Sequence, residues 1–278
     1  MFHHLTFDLE SGTDPYGVSG DTSGDGKATS AAVGRILDLL AAHNTKATFF
    51  VVGTLAAKHP QLVRGIAEAD HEIACHGWKH ELLYHSSANH PLPVTHYLLQ
   101  DLDRARKLLQ DLSCQPVSGF RAPSWSIGPQ NLFLLDMLKE LGFTYDSSLF
   151  PAWTWLYGSN AFSRKTRKLQ NGLLEFPPSV MKLGPLRLPF SGGIYMRVLP
   201  WGVIRAGISQ FRRMGEPLLF YFHTWEFGQP DQSLQCCFPY GFVRNAGLRR
   251  TPGRVNRLLS SLHFETLASG IVKSSHCS

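Results

Sequence analysis

No run of about 18 consecutive apolar residues occurs in the chain, so nothing in it reads as a membrane-spanning helix. Regular cysteine spacing is missing too. The five cysteines (Cys75, Cys114, Cys236, Cys237 and Cys277) are odd in number and unevenly placed, which argues against a disulfide framework. Cys75 lies inside an apolar run and reads as a small core residue. At the N-terminus there is no basic stretch leading into a long apolar one, the pattern of a secretory leader; a strand opens almost at once, at Phe2–Phe7. A reduced, cytoplasmic setting is the resulting expectation. There is no internal repeat and no block of like charge. No G-x-G-x-x-G follows the first strand, so a dinucleotide fold has no positive support. Charged residues are scarce, 17% against 43% hydrophobic, which excludes a disordered chain.

A length of 278 residues suits one large α/β domain with a single substantial core. The net charge of +6 suits anionic partners, such as acidic glycans or a membrane surface, and does not by itself indicate nucleic acid. Basic residues thicken towards the C-terminus at Arg244, Arg249, Arg250, Arg254 and Arg257, for which a solvated helix face is the plain reading.

Apolar periodicity alternates between strand and helix. Strands are expected at His3–Asp8, Lys46–Val52, His71–His76, Pro116–Phe120 and Phe143–Asp146, with helices at Thr29–His43, Pro60–Ala69, Val94–Leu112 and Pro129–Leu141 between them. Residues 151–199 are rich in Pro, Gly and aromatics and read as an irregular covering insertion, with short strands near Leu173–Phe176 and Leu186–Pro189. A helix at Trp201–Met214, a strand at Pro217–His223, a second loop at about 228–251, a helix at Arg254–Leu262 and a strand at His263–Leu267 complete the chain. The pattern predicts one α/β domain over 1–278, a distorted (β/α) barrel of seven or eight mostly parallel strands. An open doubly wound sheet is the competing architecture.

Parallel strands of such a barrel present their carboxyl ends on one face, where active sites gather. Four segments end there: Asp8-Leu9-Glu10, His76-Gly77-Trp78-Lys79-His80, Phe120-Arg121-Ala122-Pro123 and Phe222-His223. His76 and His80, four apart on a helical turn, face the same way and can share a metal. Gly77 permits a sharp turn there. Asp8 and Glu10, two apart on a continuing strand, can both point into the site, where one could bind a metal while the other takes a proton from water; a strand-end carboxylate capping a loop or helix is the plain alternative. Arg121 braces a carboxylate. Asp146 could orient an imidazole or simply form a turn before Ser147 and Ser148. His223 is a candidate general acid or, if isolated, a core histidine. Trp125, Trp153, Trp155 and Trp225 follow strands and could stack on sugar rings or pack a lid.

In this order the segments resemble the polysaccharide deacetylase family (NodB homology, carbohydrate esterase family four), over roughly residues 3–150 and 215–268. Thr6-Phe7-Asp8 is similar to its first motif, His76–His80 to its second, Arg121-Ala122-Pro123-Ser124-Trp125 to its third, Tyr145-Asp146-Ser147-Ser148 to its fourth and Phe222-His223 to its fifth. Within the family, the chain looks most like deacetylases of bacterial exopolysaccharide loci. The resemblance implies a metal-dependent N-deacetylase acting on an N-acetylated glycan. It assigns Asp8 as base, Arg121 as its brace, His223 as acid, Asp146 as the residue orienting His223, and His76 and His80 as ligands of a divalent ion, with zinc expected. Pro123, Ser124, Trp125 and Trp225 would line the substrate, and a backbone N–H beyond Pro123 would face the oxyanion. Leu9 stands where most members carry a second Asp, so Glu10 takes the third ligand position, with Asp14 as the fallback. Gly77 stands where Ser or Thr is usual. Two rivals share the motifs: a hydrolase of another non-peptide amide, such as a cyclic ureide or imide, and an inactive glycan-binding relative.

Overall fold

A computed structural model describes residues 1–10, 25–83, 92–228, 242 and 245–275. Asp14, Arg244, Cys236, Cys237 and Cys277, together with most of the loop at 228–251, lie outside these residues.

The first strand, β1 (His3–Leu9), shows how sequence becomes architecture. Its residues alternate between two environments and all seven are buried. Leu5, Phe7 and Leu9 join an outer apolar layer with Phe49, Val51, Ile73, Phe120, Phe220 and Phe222. Helical residues such as Ile36, Leu40, Val63, Ile66, Leu102 and Leu109 close that layer from outside. The intervening residues Thr6 and Asp8 turn to the other face. A second, smaller cluster that includes Phe50, Ala74, Tyr145, Phe176 and Tyr221 fills that inner side. Strands buried on both faces belong to a parallel sheet sheathed by helices. Burying each large apolar side chain contributes about 1.5–3 kcal/mol.

The main sheet has nine strands. Besides β1 these are β2 (Thr48–Val51), β3 (Glu72–Cys75), β4 (Gly119–Phe120), β5 (Tyr145–Asp146), β6 (Arg167–Lys168), β7 (Leu174–Glu175), β10 (Leu219–His223) and β11 (Phe264–Glu265). The order is β10-β1-β2-β3-β4-β5-β7-β6, with β11 also paired to β1, and every pairing is parallel except β6 with β7. Among the described residues β6 and β10 are not paired, so the sheet curls without closing: a distorted half-barrel. The remaining strands, β8 (Val180–Leu183) and β9 (Leu186–Pro189), form a separate antiparallel hairpin.

The helices are α1 (Asp25–Ala42), α2 (Gly53–Lys58), α3 (Pro60–Glu68), α4 (Leu92–Ser113), α5 (Leu134–Glu140), α6 (Gly193–Val198), α7 (Trp201–Met214), α8 (Thr251–Leu259) and α9 (Leu267–Ser275). α7 begins after Pro200 and ends where Gly215 adopts φ 67°, a left-handed cap that favours glycine. Periodicity does not announce α2 or α9. α2 is a six-residue segment without a side-chain N-cap, and α9 starts inside the expected strand His263–Leu267. Residues 151–199 do more than cover: β7 extends the main sheet beside β5. Close approach of β4 and β5 requires Gly119, where a Cβ would lie 1.9 Å from the Tyr145 ring.

Candidate metal centre

At the carboxyl ends of the strands, Glu10, His76 and His80 bring one donor atom each to within 4.8 Å of one another. Glu10 is the residue after β1 and His76 the residue after β3, so the sheet itself sets two of the three. The third arrives by a turn. His76–His80 is not helical: Gly77 has φ 80° and His80 has φ 59°, and these two left-handed residues bring the rings to a centroid distance of 5.0 Å. The i, i+4 spacing works here through a tight loop, and the helical turn expected for it is absent.

Each donor is prepared differently. The Arg121 carbonyl accepts a hydrogen bond of 2.8 Å from His76 Nδ1, which leaves the Nε2 lone pair facing Glu10 at 3.7 Å. Glu10 Oε1 accepts from Trp225 Nε1 at 2.9 Å, leaving Oε2 for the centre. His80 Nε2 lies 2.5 Å from that Oε2, yet neither buried ring nitrogen of this half-buried histidine has a hydrogen-bond partner. Burial opposes charge on Glu10. The positive charge of His80 and the close approach of both imidazoles outweigh it, with the charge of His223 adding to them, and hold the carboxyl well below its usual range. Three donors that converge within 4.8 Å, His76 buried and Glu10 and His80 half-buried, suit a small divalent cation, and two imidazoles with one carboxylate suit zinc or a similar ion.

Two charged groups flank the centre. Asp8 Oδ1 accepts from Arg121 Nη1 at 2.7 Å, and both side chains are buried. The same Nη1 reaches Thr6 Oγ1, while Nη2 donates to Ser147 Oγ at 2.9 Å. The guanidinium also lies 4.1 Å from the Phe50 ring centre and 4.8 Å from that of Trp125. On the other flank, His223 ends β10 as the register partner of Asp8. Its backbone N–H and its Nδ1 both meet Glu226 Oε1, at 3.1 and 2.9 Å. Glu226 Oε2 in turn pairs with Arg197 Nε at 3.1 Å. Burial disfavours imidazolium at His223. The Glu226 hydrogen bond and the charges of Glu10, Glu226 and Asp8 more than offset this, raising its pKa to about 9.

Several expectations change. Asp146 does not orient His223. Its Oδ2 accepts from Ser148 N–H and its Oδ1 from Ser148 Oγ, while Ser148 Oγ accepts from Ala122 N–H. The fourth motif therefore braces the backbone of the third, and the carboxylate at His223 is Glu226. Trp125 is 4% exposed, packed against Phe150 and Tyr221, so its ring is core and not a sugar platform. Trp225 stacks on His223 at 5.1 Å and donates to Glu10, which makes it a support for two site residues. Pro123, Ser124 and Trp125 form a single 3-10 turn beside Arg121, with positive φ at Ser124 and Trp125. Glu226 lies three residues after His223 in His-Thr-Trp-Glu-Phe, a spacing that by itself gives it no role. Arg197, an isolated basic residue in Gly-Ile-Tyr-Met-Arg-Val, offered no signal.

The profile of the polysaccharide deacetylase family matches residues 5–145, half of the chain and the part that carries Asp8, Glu10, His76, His80 and Arg121. The chain belongs to the polysaccharide deacetylase family. A second profile, a domain of unknown function (DUF3473), matches residues 147–271, the part that supplies His223, Glu226 and Arg197. The peptidoglycan-N-acetylglucosamine deacetylase of Listeria monocytogenes is 42% identical over 62 residues, a stretch covering 22% of this chain and 13% of that protein. Among solved structures, a Mycobacterium smegmatis protein with a provisional assignment as a polysaccharide deacetylase superposes with a TM-score of 0.65 at 23% identity. That match covers 99% of this chain and 89% of the other. A PuuE allantoinase superposes with a TM-score of 0.61 at 16% identity, over 96% of this chain and 87% of its own. These two likenesses concern the fold alone. No helix among the described residues is long and apolar enough to cross a membrane.

Proposed function

We propose that the protein removes N-acetyl groups from amino sugars of a bacterial polysaccharide or its precursor, releasing acetate. The observation that carries this reading is the Glu10–His76–His80 cluster, set between an arginine-braced carboxylate and a glutamate-braced histidine. Glu10, His76 and His80 would hold one divalent ion, zinc by donor type, which supplies Lewis acidity for the amide and lowers the pKa of water. Asp8 takes a proton from the attacking water. Arg121 holds its carboxylate in place, and Thr6 Oγ1 accepts from the same Nη1 and so steadies the guanidinium. His223 returns a proton to the departing amine. Its Nδ1–H is committed to Glu226, so Nε2 is the donating atom, and a pKa of about 9 keeps the ring charged at neutral pH. The third motif's turn at Pro123–Trp125, with its left-handed residues, presents the backbone that would face the developing oxyanion.

Acetate release from N-acetylglucosamine oligomers tests the reading, measured on protein loaded with zinc and on protein stripped by a chelator. The expected result is turnover that needs the metal, with about one ion per chain, lost together with activity in His80→Ala. Metal binding without acetate release would favour an inactive glycan-binding relative. Release of product only from a cyclic ureide would move the substrate class to the other rival.

A further inference from the structure

Away from the metal centre, α7 and α8 flank a groove of about 400 Å³. Trp201, Arg205, Ile208 and Arg212 of α7 lie at i, i+4, i+7 and i+11, so they form one stripe along the helix. Arg257 and Leu262 face them from α8 and the turn beyond it. The floor is apolar, since Leu262 is buried and Ile208 half-buried. Arg257 Cζ lies 4.5 Å from the centre of the Trp201 ring.

The charge of this groove is one-sided. Three arginines line it with no Asp or Glu beside them, and none of the three has a carboxylate partner among the described residues. Four buried or half-buried arginines elsewhere are occupied: Arg121 by Asp8, Arg197 by Glu226, Arg106 by three carbonyl oxygens, Arg254 by those of Met196 and Leu199. A merely solvated basic face spreads its charges over a convex surface. Here three exposed arginines line one hollow beside the Trp201 ring, and like charges gathered without counterions attract an anion.

We propose that this groove binds an acidic sugar unit of a glycan. Arg205, Arg212 and Arg257 would take the carboxylate or phosphate by charge-assisted hydrogen bonds. Trp201, Ile208 and Leu262 would take the apolar face of the ring. The volume suits a monosaccharide or a short stretch of polymer. Naming the occupant a glycan rests on the proposed function. The groove lies in the segment that matches the domain of unknown function, and that segment would then hold the polymer at a distance from the reacting unit.

Calorimetry on the full chain tests this, with trigalacturonate as the carboxylate probe, glucose 6-phosphate as the phosphate probe, and chitotriose and inorganic phosphate as controls. At least one acidic sugar should bind, more weakly as salt rises. Arg205→Gln combined with Arg212→Gln should weaken it about tenfold or more, as expected for losing hydrogen bonds to a charged group. Trp201→Ala should weaken the sugar but not inorganic phosphate. The tighter of the two acidic probes identifies the anion. Melting curves matching wild type show that the variants fold. Three outcomes overturn the proposal: neither acidic sugar binds, the double variant binds like wild type, or inorganic phosphate binds as well as glucose 6-phosphate whatever stands at 201. Capture by phosphatidylglycerol vesicles without sugar binding would likewise overturn it, in favour of a membrane surface. Because binding is read without turnover, the result stands apart from the deacetylase assay, and acetate release from short neutral oligomers should be unchanged in these variants.

Discussion

Two arginines, Arg121 and Arg197, are equally buried, at 1% exposure, and each holds one carboxylate of the site. They do so in different ways. Arg121 grips Asp8 directly and spends its remaining donors on Thr6 and Ser147. Arg197 grips Glu226, which grips His223. One flank is a braced carboxylate and the other a braced imidazole. Under the proposed function, the difference follows from the proton each would handle. A base needs a carboxylate fixed but free to accept, so a single rigid fork suffices. An acid needs its imidazole charged and turned, which calls for a carboxylate in between, and that carboxylate, once buried, needs a cation of its own.

Breaking the direct flank should have the largest effect. Asp8→Asn is expected to lower turnover by ~10²–10⁴ while leaving bound metal unchanged, by acetate release and elemental analysis. Normal turnover in this variant would remove Asp8 as the base. Next comes the residue that touches both flanks. Trp225→Phe keeps a ring against His223 and deletes the N–H given to Glu10. Metal affinity should fall about 10–100-fold in a chelator competition, the usual cost of losing a ligand's hydrogen-bond partner. An unchanged affinity would mean that Glu10 needs no such support.

A smaller effect sharpens the relay. Above the His223 pKa of about 9 the imidazole has lost its proton, so the rate should fall on the alkaline side there. Glu226→Gln removes a negative charge that stabilises imidazolium, and the limb should move down towards the ordinary value of about 6.5. A limb that stays in place in both Glu226→Gln and His223→Gln would exclude His223 as the acid. Asp146→Asn should leave that limb where it is, since Asp146 serves Ser148 and Ala122. Its effect should appear as a modest loss of thermal stability instead.

Much of the direct flank was legible in sequence because a parallel sheet is a ruler. Apolar runs ending in Asp8, His76, Arg121 and His223 place those residues at one end of the strands, and pairing of β1 with β2 and β10 does the rest. The helix Trp201–Met214 and the strand Leu186–Pro189 are observed where the sequence places them. What periodicity could not carry was anything decided by a turn or by a distant partner. The fold of His76–His80 depends on two left-handed residues, and only one of them is glycine. Asp146 and Glu226 are both carboxylates near strand ends. Which of them reaches His223 depends on Ser148 capturing Asp146 first and on Arg197 arriving from a region with no helical or strand signature.

The register partnership of Asp8 and His223 also sets an order of assembly. All three donors of the metal cluster have left the ribosome soon after His80 is made, and β2 and β3 are then available to β1. β10, which covers the opposite edge of β1, comes far later. At roughly 5–20 residues per second, the nascent chain waits on the order of ten seconds between completing its candidate ligands and acquiring His223. Through that interval β1 is an apolar strand with one bare edge, open to mispairing. A chain able to capture its ion early would hold Glu10 against His76 and His80 and keep that edge in register until β10 docks.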